Sequence, residues 1–437
     1  MKFKAKKKSL LFILGFIISL TITNSINFST WQKSIVNNPK VSAGYNLSFI
    51  HIDGSISDNW TLTALQPWCN YDSDSGYYII ENVTIDASGS PASCGILINN
   101  SLDYNFIIRN CSVTYGTGGS GALSSVGGIK IVNSSRGILF NNTCSNGINW
   151  GSGILLYNEV HNITIERNEI YNNYNGIRVE SSSYNITIKN NTINNNQYRG
   201  IWLINGVHNT TIINNNVNDN QFLSGIELRV NCDYNKIINN NGSLTNIYYA
   251  SQDNGIYLID GCDDNFIFNN SLNNNDNYGI QIELNCNNNT VLNNTASNLN
   301  GGTNQNRGIY LHSNSHYNNI TGNIVNNNDQ YGIYLSSCEH NSITGNIFYS
   351  TGDYGLGLEY CDYNNITGNT AKFNIEGGIY LSDSDWNNIS KNFVNDNTQI
   401  GIFLRKSSWG SNNNTISNNT INRNDVGIVV YSSNDNN

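Results

Sequence analysis

The chain has 437 residues, a formal net charge of −9 and only 12% charged residues, against 38% hydrophobic and 11% aromatic. Ile, Leu, Val and Tyr recur throughout, which excludes a disordered chain, because disordered segments lack regularly spaced apolar content. Lys and Arg form no cluster beyond the N-terminal head, which excludes binding to a nucleic-acid backbone.

Residues 1–25 read as a signal peptide or an N-terminal membrane anchor. The stretch MKFKAKKKSLLFILGFIISLTI is a lysine-rich head followed by an apolar run from Leu10 to Leu20. That run is shorter than the roughly 20 residues of a comfortable bilayer span, but Thr21 to Thr23 extend it, so cleaved and anchored forms both stay open. In either form the lysines stay cytoplasmic and the rest of the chain lies outside: secreted, periplasmic or at the cell surface, touching a membrane only through this segment. Residues 26–76, with Trp31, Trp60, Trp68 and Cys69, lie outside any repeat and are expected to cap the first coil of the repeat domain.

Residues 77–437 form that repeat domain. YGIYLSSCEHNSITGN at 331–346 returns as YGLGLEYCDYNNITGN at 354–369, and glycines of this Gly-Ile-x-Leu unit recur from Gly95 to Gly427, mostly 23 to 25 residues apart. Ile and Leu alternate with variable residues, as in a strand with one buried face. Short segments such as NITIER (162–167) and NITGN (319–323) supply a second strand, and an Asn-rich segment with one aliphatic, such as Ile170, Val217 or Ile347, a third. A leucine-rich repeat has similar length, but its convex side needs Leu at helical spacing where these units carry Asn. The expected fold is therefore all-β: a parallel β-helix solenoid of about 14 coils, rising roughly 4.8 Å each, with three short parallel sheets and an N-terminal cap. No coil buries enough to stand alone, so like residues should stack in columns, and Asn suits such columns because its amide donates to one rung and accepts from another. The sequence stops at YSSNDNN, one strand into a coil; the tail protects that rung, a protein partner or stacking covers it, or the chain is incomplete.

Several columns carry chemistry. Cys232, Cys262, Cys286, Cys338 and Cys361 share one position in the turn between the first two strands, with Ser315 and Ser384 in the same place. An unbridged ladder is favoured over disulfides between neighbouring rungs, since parallel stacking holds Cβ atoms near about 4.8 Å, beyond the roughly 3.8 Å a disulfide prefers. Tyr104, His161, Tyr184, His208, Tyr234, Tyr317, His340, Tyr363 and Trp386 form an expected aromatic file at the following corner. Asp233, Asp263, Glu339, Asp362 and Asp385 line up beside it. These carboxylates either cap turn amides or hold a cation, with calcium the candidate cofactor, since stacked carboxylates repel without a counterion.

On the outward face of the first strands, the position after Ile gives Arg178, Trp202, Glu227, Tyr257, Gln281, Tyr310, Tyr334, Tyr380 and Phe403. The next outward position gives Glu180, Arg229, Glu283, His312, Glu359 and Arg405. Aromatic rings cover the apolar face of a pyranose while charged groups bind hydroxyls, so Trp202, Tyr257, Tyr310, Tyr334, Tyr380 and Phe403 are candidate ligand contacts; strand propensity alone gives the same residues. Arg178, Glu180, Glu227 and Arg229 within two rungs, and Glu283 beside His312, are the candidate catalytic groups for glycoside hydrolysis or uronate elimination, although opposite charges across strands are also ordinary surface pairing.

The units YGIYLSS (331–337), GIYLSDSDWNNIS (378–390) and NNITGN, entered through YYIIENVTIDASGS (77–90), resemble the repeats of the NosD-like family, which is grouped with carbohydrate-binding proteins and sugar hydrolases. The resemblance spans about residues 77–433 and implies a right-handed parallel β-helix. It also implies a periplasmic, copper-handling factor, yet the chain has six scattered histidines and one methionine, Met1, so copper ligands are scarce unless the cysteine column serves. The preferred reading is an exported, non-catalytic β-helix offering its first sheet to glycans at the cell surface. Its rivals are a polysaccharide lyase, epimerase or hydrolase, a structural or adhesion rod, and the copper factor.

Overall fold

The structure is a computed structural model that describes residues 44–90, 94–114, 126–147, 151–245, 251–299, 305–408, 410–431 and 436. The expected signal or anchor at 1–25 lies outside the described residues.

From Tyr45 onward the chain winds as a parallel β-solenoid. Each coil lays down a first strand, such as Arg199–Ile204, a second, such as Thr211–Ile213, and a third side. The first sheet has fifteen strands, from Ile50–Asp53 to Val426–Tyr431, and the second also has fifteen, parallel except where Cys69–Asp72 opens it antiparallel to Tyr77–Glu81. Like residues pair across rungs: Ile201 with Ile226, Ile226 with Ile256, Ile256 with Ile280. Their side chains point inward and are fully buried, as are Leu203, Leu228 and Leu258.

The third side differs from the expected continuous sheet. It is six strands from Tyr45–Leu47 to Thr192–Asn194, then single bridges through Asn216, Asn241, Ser271, Thr295 and Ile324, then four strands from Ile347–Tyr349 to Thr420–Asn422. In the middle coils one bridged residue followed by one buried aliphatic, such as Val217, Leu272 or Val325, closes the side. In most units the glycine that opens Gly-Ile-x-Leu faces this apolar side chain. A Cβ at Gly200 would lie 2.1 Å from Val217 Cγ1 and 2.7 Å from the Gly225 carbonyl oxygen, which is why a side chain has no room there.

Parallel pairing begins upstream of residue 77, since Tyr45–Leu47 pairs with Val83–Asp86 and Ile50–Asp53 with Cys94–Asn99. Between them the short helix Asn59–Thr63 places Trp60 in the core, ringed by Tyr78, Tyr104 and Phe106 at 5.1, 6.1 and 5.7 Å, with its Nε1 donating to Ser101 Oγ at 3.0 Å.

Asparagine does two jobs at each corner after the second strand. The first residue turns the chain in the left-handed region, as at Asn190, Asn214, Asn239, Asn269 and Asn293, and Gly322, Gly345 and Gly368 occupy the same place. The next residue is a buried Asn that bonds rung to rung. Asn294 Oδ1 accepts the Asn270 backbone N–H at 2.9 Å, and Asn294 Nδ2 donates to the Ile267 carbonyl at 3.0 Å. This column runs from Asn142 to Asn419, and a parallel one from Asn235 to Asn414 follows the first turn. Buried polar groups persist only when bonded, and here the columns bond each other.

The cysteine column works the same way. Cys232 N–H donates to Cys262 Sγ at 3.4 Å, Cys262 N–H to Cys286 Sγ at 3.2 Å, and Cys338 N–H to Cys361 Sγ at 3.2 Å. The series continues with serine, since Cys361 N–H donates to Ser384 Oγ at 3.0 Å. All nine cysteines are buried and carry free thiols.

Candidate functional site

The outward face of the first sheet is built by its six-residue strands, which turn three positions each away from the core. The register aligns Arg178 with Trp202, Trp202 with Glu227, Glu227 with Tyr257, Tyr257 with Gln281, Gln281 with Tyr310 and Tyr310 with Tyr334. Between Tyr334 and Tyr380 stands Gly357, a member of the file that the aromatic pattern skipped. A Cβ there would lie 2.7 Å from Tyr331 Cε1 and 2.8 Å from Tyr334 Cδ2, so the missing side chain lets both rings lean across the next rung. Sequence reasoning missed the third outward row, which precedes the glycine of each unit: Arg199, Tyr278, Arg307, Tyr331 and Tyr354. Strict alternation counted back from the inward Ile would turn this row into the core. It faces outward because the intervening glycine is itself turned inward, as the Val217 contact at Gly200 demonstrates, and that glycine in every unit was the signal.

At one end, Arg178 and Glu180 stand two rungs from Glu227 and Arg229. Arg178 pairs with Glu180 and Arg229 with Asp260 at 3.1 Å, while Glu227 is taken by Arg199, whose Nε lies 2.5 Å from Oε2. Glu227 is 1% exposed, so it is a buried counterion rather than a surface carboxylate. Arg178 and Arg199 both stack on Trp202, at 4.6 and 4.2 Å from its ring. Burial pushes the Glu180 carboxyl above the usual range, against the pull of Arg178.

In the middle, Glu283 and His312 do meet, with Nε2 2.5 Å from Oε2. The carboxylate also accepts from the Tyr257 hydroxyl and, at 3.2 Å, from Gln281 Nε2. The Tyr310 ring stacks on His312 at 4.3 Å, and His312 Nδ1 lies 2.9 Å from Ser313 Oγ. Burial works against the charged form of Glu283, yet bonds from His312, Tyr257 and Gln281 outweigh it and hold the carboxyl below the usual range. Burial, together with the bond to Glu283, pushes the Tyr257 phenol up.

Beyond it the rings crowd together. Arg307 lies 5.6, 4.3 and 4.5 Å from the rings of Tyr278, Tyr310 and Tyr334. Tyr331 packs on Tyr334 at 4.6 Å, Tyr354 stacks on Tyr380 at 5.0 Å, and Phe403 follows at 5.7 Å. Tyr334, whose hydroxyl donates to Glu359, is only 8% exposed and Tyr354 7%. The face is thus a packed pavement of rings, half-buried or buried, rather than a flat exposed file.

The acidic column sits on the turn. The Asp263 amide donates to Asp233 Oδ1 at 2.8 Å, that of Asn287 to Asp263 Oδ1 at 2.6 Å, that of Asp385 to Asp362 Oδ1 at 2.7 Å and that of Asn412 to Asp385 Oδ1 at 2.6 Å. The Glu339 amide instead donates to His316 Nδ1 at 2.9 Å. Among the described residues no group of three or more His, Cys, Asp or Glu is placed to hold a metal ion. The corner aromatics form two stacks rather than one file: His161, Tyr184 and His208 at 4.8 and 5.4 Å, and Tyr317, His340, Tyr363 and Trp386 at 5.0, 5.1 and 6.2 Å. They are offset by one residue, because Thr210, not Asn209, takes the ladder position bonded to Asn235.

Residues 241–351 and 300–437 match the family described as periplasmic copper-binding protein (NosD), and residues 58–217 match the right handed beta helix region. The repeats are those of the NosD-like right-handed β-helix family. Among the described residues the copper of that description finds no ligand cluster. The cysteine thiols are buried; that of Cys361 accepts the Cys338 amide and that of Cys338 donates to the Ser336 carbonyl, and burial pushes Cys338 up to about 12, away from the thiolate a metal needs. No curated protein matches the chain. Among solved structures, tailspike protein 3 of bacteriophage CBA120 is 14% identical with a TM-score of 0.51, over 79% of this chain and 57% of its own. The periplasmic alginate epimerase AlgG is 13% identical with a TM-score of 0.44, over 88% and 85%. The mannuronan C-5 epimerase AlgE4 A-module of Azotobacter vinelandii is 11% identical with a TM-score of 0.39, over 89% and 99%. These likenesses concern the fold.

Proposed function

We propose that this NosD-like β-helix acts outside the cytoplasm as a glycan-binding protein, through the outward face of its first sheet. The observation that carries the reading is the placement of the half-buried rings Tyr278, Tyr310, Tyr331 and Tyr380 on neighbouring rungs, backed by the buried Tyr334 and Tyr354, with Gln281, Glu283, His312 and Arg307 set among them. Rings offer apolar surface to the C–H face of a sugar, and the interleaved amide, imidazole and carboxylate offer hydroxyl partners at the same level. The rung repeat suits a polymer, since equivalent groups recur along the sheet at one spacing. The lysine-rich head and apolar run at the N-terminus support export, as does the periplasmic description of the matching family.

The test is a glycan array on the purified protein, followed by calorimetry with the best oligosaccharide. Tyr310→Ala and Trp202→Ala are expected to weaken binding about tenfold each, the scale of losing one aromatic platform. The reading fails if no oligosaccharide binds, or if both variants bind as the parent does while remaining folded. A catalytic reading has one observation in its favour, the Glu283–His312 pair, in which the ionised carboxylate would serve as a base or orient the imidazole. Polymer viscosity separates the two readings, since a binder leaves chain length unchanged.

A further inference from the structure

We infer that the glycan is acidic and that Arg307 recognises its carboxylate, an inference that rests on the glycan-binding reading above. The chain is acidic as a whole, and three arginines of this face are matched: Arg178 with Glu180, Arg199 with Glu227, Arg229 with Asp260. Lys130, over the Tyr157 ring at 5.9 Å, and Arg405 make no ion pair among the described residues, but neither is held among three rings. Arg307 makes no ion pair among the described residues. Its one hydrogen bond is a long contact of Nη1 with the Tyr278 hydroxyl at 3.5 Å, and its Nε is buried without a partner.

Three rings hold the guanidinium in the file: Tyr278, Tyr310 and Tyr334, with centroids 4.3 to 5.6 Å away. Ring contact orients a guanidinium and leaves its N–H donors unspent, because a π-face attracts the charge without consuming the fork. The nearby carboxylates are engaged elsewhere. Glu283 is bonded by Tyr257, His312 and Gln281, and Glu359 by Tyr334. Asp353 feels the Arg307 charge, which offsets part of the burial that raises its carboxyl, but it lies outside ion-pair distance. A planar fork with free donors, set between sugar-stacking rings, matches the carboxylate of a uronate residue, which accepts two parallel N–H bonds. A neutral sugar has no group that answers the charge.

The experiment compares three oligosaccharides of equal length and linkage in calorimetry: a neutral glycan, its uronate counterpart and its sulfated counterpart. The parent protein is expected to bind the uronate about tenfold or more tightly than the neutral form, as a charge-assisted bidentate pair provides. In Arg307→Gln the ratio of uronate to neutral affinity falls to about one, whatever the change in neutral affinity. In Arg307→Lys, which keeps the charge and loses the fork, the preference falls but persists. Circular dichroism and thermal melting of both variants establish that the coil is intact. Equal parent affinity for uronate and neutral forms, or a uronate preference that survives Arg307→Gln, overturns the proposal while leaving glycan binding standing. Preference for the sulfate ester over the uronate overturns the carboxylate assignment. Binding of none of the three overturns this proposal and the glycan reading together.

Discussion

Replacing Asn294 by Ala tests whether the asparagine column holds the coils together. Asn294 is fully buried; its Oδ1 accepts the Asn270 backbone N–H and the Asn270 Nδ2, both at 2.9 Å. Its own Nδ2 donates to the Ile267 carbonyl at 3.0 Å and to Asn323 Oδ1 at 3.1 Å. Alanine leaves the Asn270 N–H without an acceptor, while Asn270 Nδ2 keeps the Ile237 carbonyl at 2.9 Å. An orphaned buried donor costs about 1–3 kcal/mol and the lost bond to Ile267 about 1 more, so about 2–4 kcal/mol is expected. Long repeat arrays do not unfold in one step, so the assay is hydrogen exchange at the Asn270 amide, supported by the urea midpoint. Protection there should fall roughly 30- to 1,000-fold, the equivalent of that energy. Asn319→Ala is the control. Asn319 is exposed and accepts only from Thr321 Oγ1, at 2.6 Å, so its removal should cost less than about 0.5 kcal/mol. Equal exchange in the two variants would refute the idea that the column bears stability.

Two further outcomes arise from the same packing. Native protein at pH 8 should resist iodoacetamide at all nine cysteines, because burial pushes the Cys338 thiol up to about 12 and raises Cys361 as well; adducts on folded protein, read by intact mass, would contradict this. Cys338→Ser should cost less than about 1 kcal/mol, since Ser384 accepts the Cys361 amide in the same column. Glu283 is held below its ordinary range, so its contribution is present above about pH 4.3 and is lost as pH falls through the lowered value. The melting temperatures of the parent and Glu283→Gln should therefore draw together as acid titrates the carboxylate, and a gap that does not narrow on acidification would count against the pairing with His312 and Tyr257.

Which residues meet was decided by two different kinds of information. The period, the inward Ile and Leu and the Asn and Cys columns were all legible in the chain, because one short pattern repeats and parallel stacking converts position in the repeat into position in space. The Glu283–His312 pair was legible for the same reason, being neighbours one rung apart in one file. Side-chain direction within a rung was not. Arg199 and Arg307 reach sideways across the sheet from a row that the repeat marks as variable, so Glu227 acquires a buried partner, Trp202 is stacked by two guanidinium groups, and the fork of Arg307 is left with free donors among three rings. The sequence by itself determined the solenoid and the identity of each file, since those follow from periodicity and backbone bonding. Only the tertiary structure decided which carboxylates are spent on the chain's own cations and which cation is held among rings instead, since that depends on the reach of long side chains between rungs, a distance that no spacing along the sequence encodes.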